Sequence, residues 1–216
     1  MLLSVLNSFR ALWRTALLAT VVAASGSPLA QERPAVLVFG DSLSAGYGIR
    51  VQDAWPALLA DRLTRERRDY TVVNLSISGE TTAGGRSRLP AALAKHKPAI
   101  VVLALGANDG LRGLPVPEMK ANLGFMIDEA RRTGAKPMLV GMRMPPNYGP
   151  YADAFHAAFA QLAREKKVPL VPFLLDGIAG DARWFLPDGL HPTREAQPRL
   201  LDNVWPQLAP LVTARG

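Results

Sequence analysis

The stretch that decides the fold is Val36 to Gly48, VLVFGDSLSAGYG. An apolar run of strand length, Ala35 to Phe39, stops at Gly40 and passes the chain to Asp41, Ser42 and small residues with two further glycines. A buried strand that ends in a tight, exposed turn has this pattern. Open α/β sheets hold ligands at the carboxyl ends of their central strands, so Ser42 is a candidate nucleophile. The turn behind it can aim backbone N–H groups at an anion. Taken alone, Gly-Asp-Ser reads more readily as Ser42 capping the next helix, a purely structural role. The rest of the chain has to decide between the two.

Outward from this stretch, strand and helix patterns alternate. Apolar, β-branched runs at Ala35 to Phe39, Thr71 to Leu75, Ala99 to Leu105, Lys136 to Met142 and Val168 to Phe173 read as strands buried on both faces. Helical patterns lie between and after them, over 54–66, 86–96, 117–131, 152–166 and 194–212. Five βα units predict an α/β fold, a parallel sheet covered by helices on both sides. The Pro- and Gly-rich segments Gly110 to Pro117, Met144 to Pro150 and Asp176 to Gly189 each follow a strand. They should therefore lie on the carboxyl-end rim beside Ser42 and wall a cleft.

The first 30 residues have a different character. Arg10 and Arg14 precede an apolar stretch, Ala16 to Ala24, and small residues with a proline run from Ser25 to Ala30. That is the layout of a secretory signal peptide, too short to span a bilayer as a helix. Cleavage fits after Ala24 or Ala30, with Ala30 preferred because the fold begins near Pro34. Residues 31–216 are then one domain in the periplasm or outside the cell. The chain has no cysteine, which excludes both a disulfide framework and a thiol mechanism. Its net charge of +7 falls to +5 without the leader, Arg10 and Arg14 being the charges removed. The basic residues Arg62, Arg65, Arg67 and Arg68 cluster at a helix end without interleaved aromatics, which argues against nucleic-acid binding.

Of the three histidines, His96 sits among lysines and His156 lies mid-helix. His191 occurs in PDGLHP, where Pro187 and Gly189 break regular structure and Pro192 forces it toward an extended conformation. Asp188, three residues earlier, can fold back to accept the Nδ1 proton and leave Nε2 free as a base for a serine. Two more loops offer oxyanion donors. Gly79, in NLSISGETTAGG after the second strand, can bring its N–H close to a ligand, and Asn108, in LGANDGLRG after the third, can donate from its side chain. Each has an ordinary turn or cap reading. Together, however, these residues follow the first, second, third and last strands and so converge on one rim.

The blocks GDSLSAGYG, SISGE, GANDGLRG and DGLHP resemble, in order and spacing, those of the SGNH or GDSL hydrolase superfamily. With AWPALLADRL, MRMPPNYG and VPLVPF, the likeness extends to the periplasmic acyl-CoA thioesterase, lysophospholipase and arylesterase group over Pro34 to Leu211. The resemblance implies a three-layer flavodoxin-like sheet of order 2-1-3-4-5. It also implies Ser42 as nucleophile, His191 and Asp188 as base and orienter, and an oxyanion hole from the N–H groups of Ser42 and Gly79 with the Asn108 side chain. No metal or organic cofactor enters such chemistry. Departures are Ala107, where close relatives often have glycine, and the loop Asp176 to Pro187. The expected partner is a small acyl ester or thioester handled by a monomer, without stable membrane insertion once the leader is cleaved. An SGNH carbohydrate O-acetylesterase is the alternative, and a non-catalytic binding module has no need of this constellation. Leu111, Leu114, Met144, Ile178 and Phe185 make the expected rim apolar, which suits an acyl chain better than a sugar.

Overall fold

The computed structural model describes residues 33–212, and the leader expected over residues 1–30 lies outside them. Five parallel strands, β1 (Ala35–Gly40), β2 (Thr71–Asn74), β3 (Ile100–Ala104), β4 (Lys136–Val140) and β5 (Leu170–Val171), form one sheet of order β2-β1-β3-β4-β5. Helices α1 (Ser42–Ala45), α2 (Trp55–Arg65), α3 (Thr82–His96), α4 (Ala107–Leu111), α5 (Val116–Arg132), α6 (Pro150–Lys166) and α7 (Gln197–Leu208) connect and cover it. One helical layer pairs α2 with α7, and the other packs α3 against α5 and α5 against α6. The order is the flavodoxin-like one expected. Successive connections leave β1 toward opposite sides of the sheet, which opens a crevice at the carboxyl ends of β1 and β3.

The core follows from the apolar runs. Every residue of β1 and β3 is buried, and Val36 pairs with Ile100 and Gly40 with Ala104. β2 departs from expectation: it is half-buried along its length, because it is an edge strand with one neighbour. β5 is also shorter than its apolar run. Pro169 and Pro172 bracket Leu170–Val171 and have no N–H to give a ladder. α3 begins four residues before its expected start, since Thr81 caps it by accepting from the Gly84 N–H. Its Gly85 lies under Leu105, where a Cβ would come within 2.4 Å of the leucine Cδ1, so the glycine serves close packing and not a break. The last helical pattern splits into a short 3-10 turn, Arg194–Ala196, followed by α7. The Gln197 Oε1 accepts from the Trp55 N–H at 3.0 Å and so ties the start of α7 to the start of α2.

Candidate active site

Ser42 opens α1 directly after β1, and Asp41 caps that single helical turn by accepting from the Leu43 N–H at 3.0 Å. The serine thus stands at the carboxyl end of a strand buried on both faces, and its side chain is aimed by the cap. Ser42 and His191 lie 149 positions apart in the chain and are joined by one hydrogen bond, 2.8 Å from Ser42 Oγ to His191 Nε2. On the far side of the ring, Nδ1–H donates to Asp188 Oδ2 at 2.7 Å. This contact selects the tautomer that leaves Nε2 as the acceptor for the serine proton.

The His191 loop is held by its own backbone. Asp188 Oδ1 accepts from the N–H groups of Leu190 (2.9 Å) and His191 (3.0 Å), the Leu186 N–H donates to the His191 carbonyl at 2.8 Å, and Phe185 bridges to Pro192. The two backbone donors, with the His191 side chain third, hold the Asp188 carboxyl down at about 2, below its ordinary range. It is therefore a carboxylate at every pH at which the fold is useful.

Gly79 and Asn108 are brought together by the loop that follows β2. Gly79 takes φ +80°, and the Asn108 Nδ2 donates to the Glu80 carbonyl at 3.0 Å, which orients the amide and leaves its second hydrogen unspent. The N–H groups of Ser42 and Gly79 have no acceptor among the described residues. These donors are thus unspent within the fold. Behind them stand supports that the sequence motifs do not name. Arg112 donates to the Gly79 carbonyl at 3.0 Å, and buried Asp109 accepts from the Thr82 N–H and hydroxyl at 2.9 and 2.5 Å, so α4 grips both the Gly79 loop and the start of α3. Their signal in the sequence is the charge pair flanking Gly110 in NDGLR, which is neither a base nor an oxyanion donor.

Asp41 is a second feature beyond the sequence expectation. It is 1% exposed, its Oδ2 has no hydrogen-bond partner, and burial, with a smaller push from Asp109, raises its pKa to about 7. The carboxyl behind the serine is therefore largely neutral below that pH.

The expected apolar rim needs correction. Met144 and Ile178 are 8% and 1% exposed, packed into the core beneath the rim loops, and Phe185 is only partly exposed and packs against the same core. Leu111 and Leu114 are exposed as expected. With them stand Tyr47, Ile77 and Leu190, three exposed apolar side chains on the loops that carry Ser42, Gly79 and His191. Ile77 lies two residues before Gly79 and Leu190 one before His191, so proximity to the site motifs is the signal the sequence offers. Among the described residues no group of three or more His, Cys, Asp or Glu is placed to hold a metal ion, and no helix is long and apolar enough to cross a membrane.

The comparisons with known proteins agree with this geometry. Residues 38–197 match the model of the GDSL-like lipase/acylhydrolase family. The chain is 52% identical to esterase TesA of Pseudomonas aeruginosa over 178 residues, 82% of this chain and 89% of that one. It is 43% identical to thioesterase 1/protease 1/lysophospholipase L1 of Escherichia coli over 178 residues, 82% and 84% of the two chains. The crystal structure of the psychrotrophic esterase EstA from Pseudoalteromonas sp., inhibited by monoethylphosphonate, superposes with a TM-score of 0.78 at 38% identity, covering 82% of this chain and 97% of that one. The chain belongs to the GDSL-like lipase/acylhydrolase family and is a hydrolase of ester bonds.

Proposed function

We propose that the chain hydrolyses small carboxylic esters and thioesters of apolar acyl groups through an acyl-enzyme on Ser42. The observation that carries this reading is the unbroken relay from Ser42 Oγ through His191 to Asp188, at 2.8 and 2.7 Å. Ser42 Oγ bonds to the carbonyl carbon as its proton passes to His191 Nε2. The carbonyl electrons move to the oxygen facing the N–H groups of Ser42 and Gly79 and the Asn108 amide. The imidazolium then protonates the leaving alcohol or thiol. Water, deprotonated by the same nitrogen, releases the acid. Asp188 stays ionised throughout, orients the ring and stabilises its charged form.

An apolar acyl group is supported by the exposed Ile77, Leu111, Leu114 and Leu190 on the rim loops, aliphatic surface that suits an acyl chain better than a polar sugar. The names of the relatives, esterase and thioesterase/lysophospholipase, support a broad acyl range in the same direction. The leader pattern supports action outside the cytoplasm. The test has two arms. A fluorophosphonate probe should label the protein and fail to label Ser42→Ala. The purified protein should then be assayed on p-nitrophenyl esters from acetyl to dodecanoyl, with acyl-CoA and lysophospholipid alongside. Labelling that survives in Ser42→Ala removes the nucleophile, and activity confined to the acetyl ester removes the acyl reading.

A further inference from the structure

We propose that Tyr47 is a positioning residue for His191, which rests on the relay reading above. Two in-line hydrogen bonds, to Ser42 at Nε2 and to Asp188 at Nδ1, fix the position of an imidazole in its own plane. They leave the ring free to rock about the line joining its two nitrogens. The Cβ–Cγ bond alone opposes that motion, and a contact on the ring face adds a second restraint, which Tyr47 supplies. The two ring centroids are 4.3 Å apart with 36° between planes. His191 is thereby held on both nitrogens and on a face.

Tyr47 is fixed to the nucleophile as firmly as to the base. The Gly46 N–H caps α1 on the Ser42 carbonyl, and the Tyr47 N–H donates to the same carbonyl at 3.2 Å. The flanking Gly46 and Gly48 take φ +77° and +75°, a region that side-chain-bearing residues rarely adopt. At Gly48 an added Cβ would come within 2.4 Å of Leu186 Cδ1, and Leu186 belongs to the loop that carries Asp188 and His191. Gly-Tyr-Gly is thus a clasp between the first loop of the fold and the last one before α7. It makes two contacts, tyrosine on histidine and bare backbone on leucine.

The tyrosine ring is half-exposed, at 52%, so burial alone does not account for a large apolar residue there. Its π face is directed at a ring that becomes a cation when Ser42 is deprotonated, and an electron-rich face favours the charged form. The contact should therefore stabilise the imidazolium present in the transition state more than the neutral imidazole of the resting enzyme. Of the charged groups near His191, Asp188 touches it directly and Asp41 lies buried behind Ser42. Neither changes when Tyr47 is altered.

The experiment compares Tyr47→Phe, Tyr47→Leu and Tyr47→Ala with the parent and with Ser42→Ala on p-nitrophenyl butyrate. The phenylalanine variant keeps the face and should rescue kcat to within about twofold. The leucine variant keeps bulk and shielding without the π face; its kcat should fall about five- to tenfold with KM within about twofold, and the acid limb of kcat/KM should move down by about half a pH unit. The alanine variant should lose more, and its thermal midpoint separates lost folding from lost alignment. A leucine variant with the parental kcat or the parental acid limb overturns the proposal, as does a phenylalanine variant as poor as leucine. Activity surviving in Ser42→Ala would instead overturn the relay reading itself, so the two failures are distinguishable.

Discussion

Replacing Asp41 by asparagine should change how stability depends on pH. Asp41 is buried, one carboxyl oxygen is unpartnered, and its pKa in the fold is about 7 against 3.8 for a free side chain. Between these values the folded chain binds a proton that the unfolded chain has released. The stability present below about pH 4 is therefore lost as pH rises toward 7. Three units at about 1.4 kcal/mol each come to about 4 kcal/mol, of which roughly 3 kcal/mol falls between pH 5 and pH 8. An asparagine at this position would keep an oxygen for the Leu43 N–H and carries no charge, so the variant lacks this dependence. Any offset from placing an amide where Oδ2 sits is the same at every pH and drops out of the slope. Urea unfolding of the parent and Asp41→Asn at pH 5, 6, 7 and 8 should show the variant gaining on the parent by about 3 kcal/mol across the range. A difference flat to within about 0.5 kcal/mol would mean instead that Asp41 ionises in the fold as easily as in water.

Ser42→Ala and His191→Ala should each lower turnover by several orders of magnitude, and the double variant should be little worse than either, because the residues act as a unit. Clear additivity in steady-state assays would dissolve the relay. Asp188→Asn should cost roughly 10³- to 10⁴-fold in kcat by favouring the wrong tautomer of His191. Because the Asp188 carboxyl is held at about 2, acidifying the parent from pH 8 to pH 4 should produce no activity step that Asp188→Asn abolishes. On the rim, Leu114→Ser should lower kcat/KM for octanoyl esters at least about tenfold and leave acetyl esters within about threefold, since three or four covered methylenes are worth roughly 2 to 3 kcal/mol. Equal losses on both would mean that the loop positions Asn108 and does not read the chain. Tyr151 tests the same loop: its hydroxyl donates to the Leu114 carbonyl at 2.7 Å, so Tyr151→Phe should raise KM for octanoyl esters severalfold and hardly change acetyl esters.

The sheet was legible because parallel strands buried on both faces write themselves as unbroken apolar runs, and their order along the chain allowed little else. Much of what escaped was set by neighbours absent from the local pattern. Nothing in Thr71 to Leu75 says that one side of that strand is open to solvent; in VPLVPF the two prolines are themselves the signal that shortens the strand, overshadowed by the apolar run around them. The site divides along the same line. Ser42, Gly79, Asn108, Asp188 and His191 are legible as candidates because acyl transfer calls for those residue types at strand ends, and the structure joins Ser42, His191 and Asp188 by hydrogen bonds. Met144 and Ile178 read as rim because loop membership predicts exposure only on average, and these two side chains turn down into the core.

The residues that hold the reacting groups are the least legible of all, for a physical reason. Tyr47 reads as one aromatic between two glycines and Arg112 as a loop cation, and each acts through a contact with a segment 30 or more residues away; Asp41 reads as one acid beside the serine, and its shift comes from burial under the rest of the fold. Such contacts leave no periodicity and no spacing. They become visible when loops from four strand ends are brought to one rim, and the rim then couples the parts. α4 grips the Gly79 loop through Arg112 and Asn108, the Gly-Tyr-Gly clasp grips the His191 loop, and Ser42 lies between the two. A change at Arg112 should act through the backbone of the Gly79 loop, and a change at Tyr47 through the ring of His191. Variants at Arg112 and Tyr47 combined should therefore lose activity close to additively, since they act on opposite sides of the nucleophile and share no contact. Measured coupling above about 1 kcal/mol in a double-mutant cycle on kcat would show instead that the two loops move as one body.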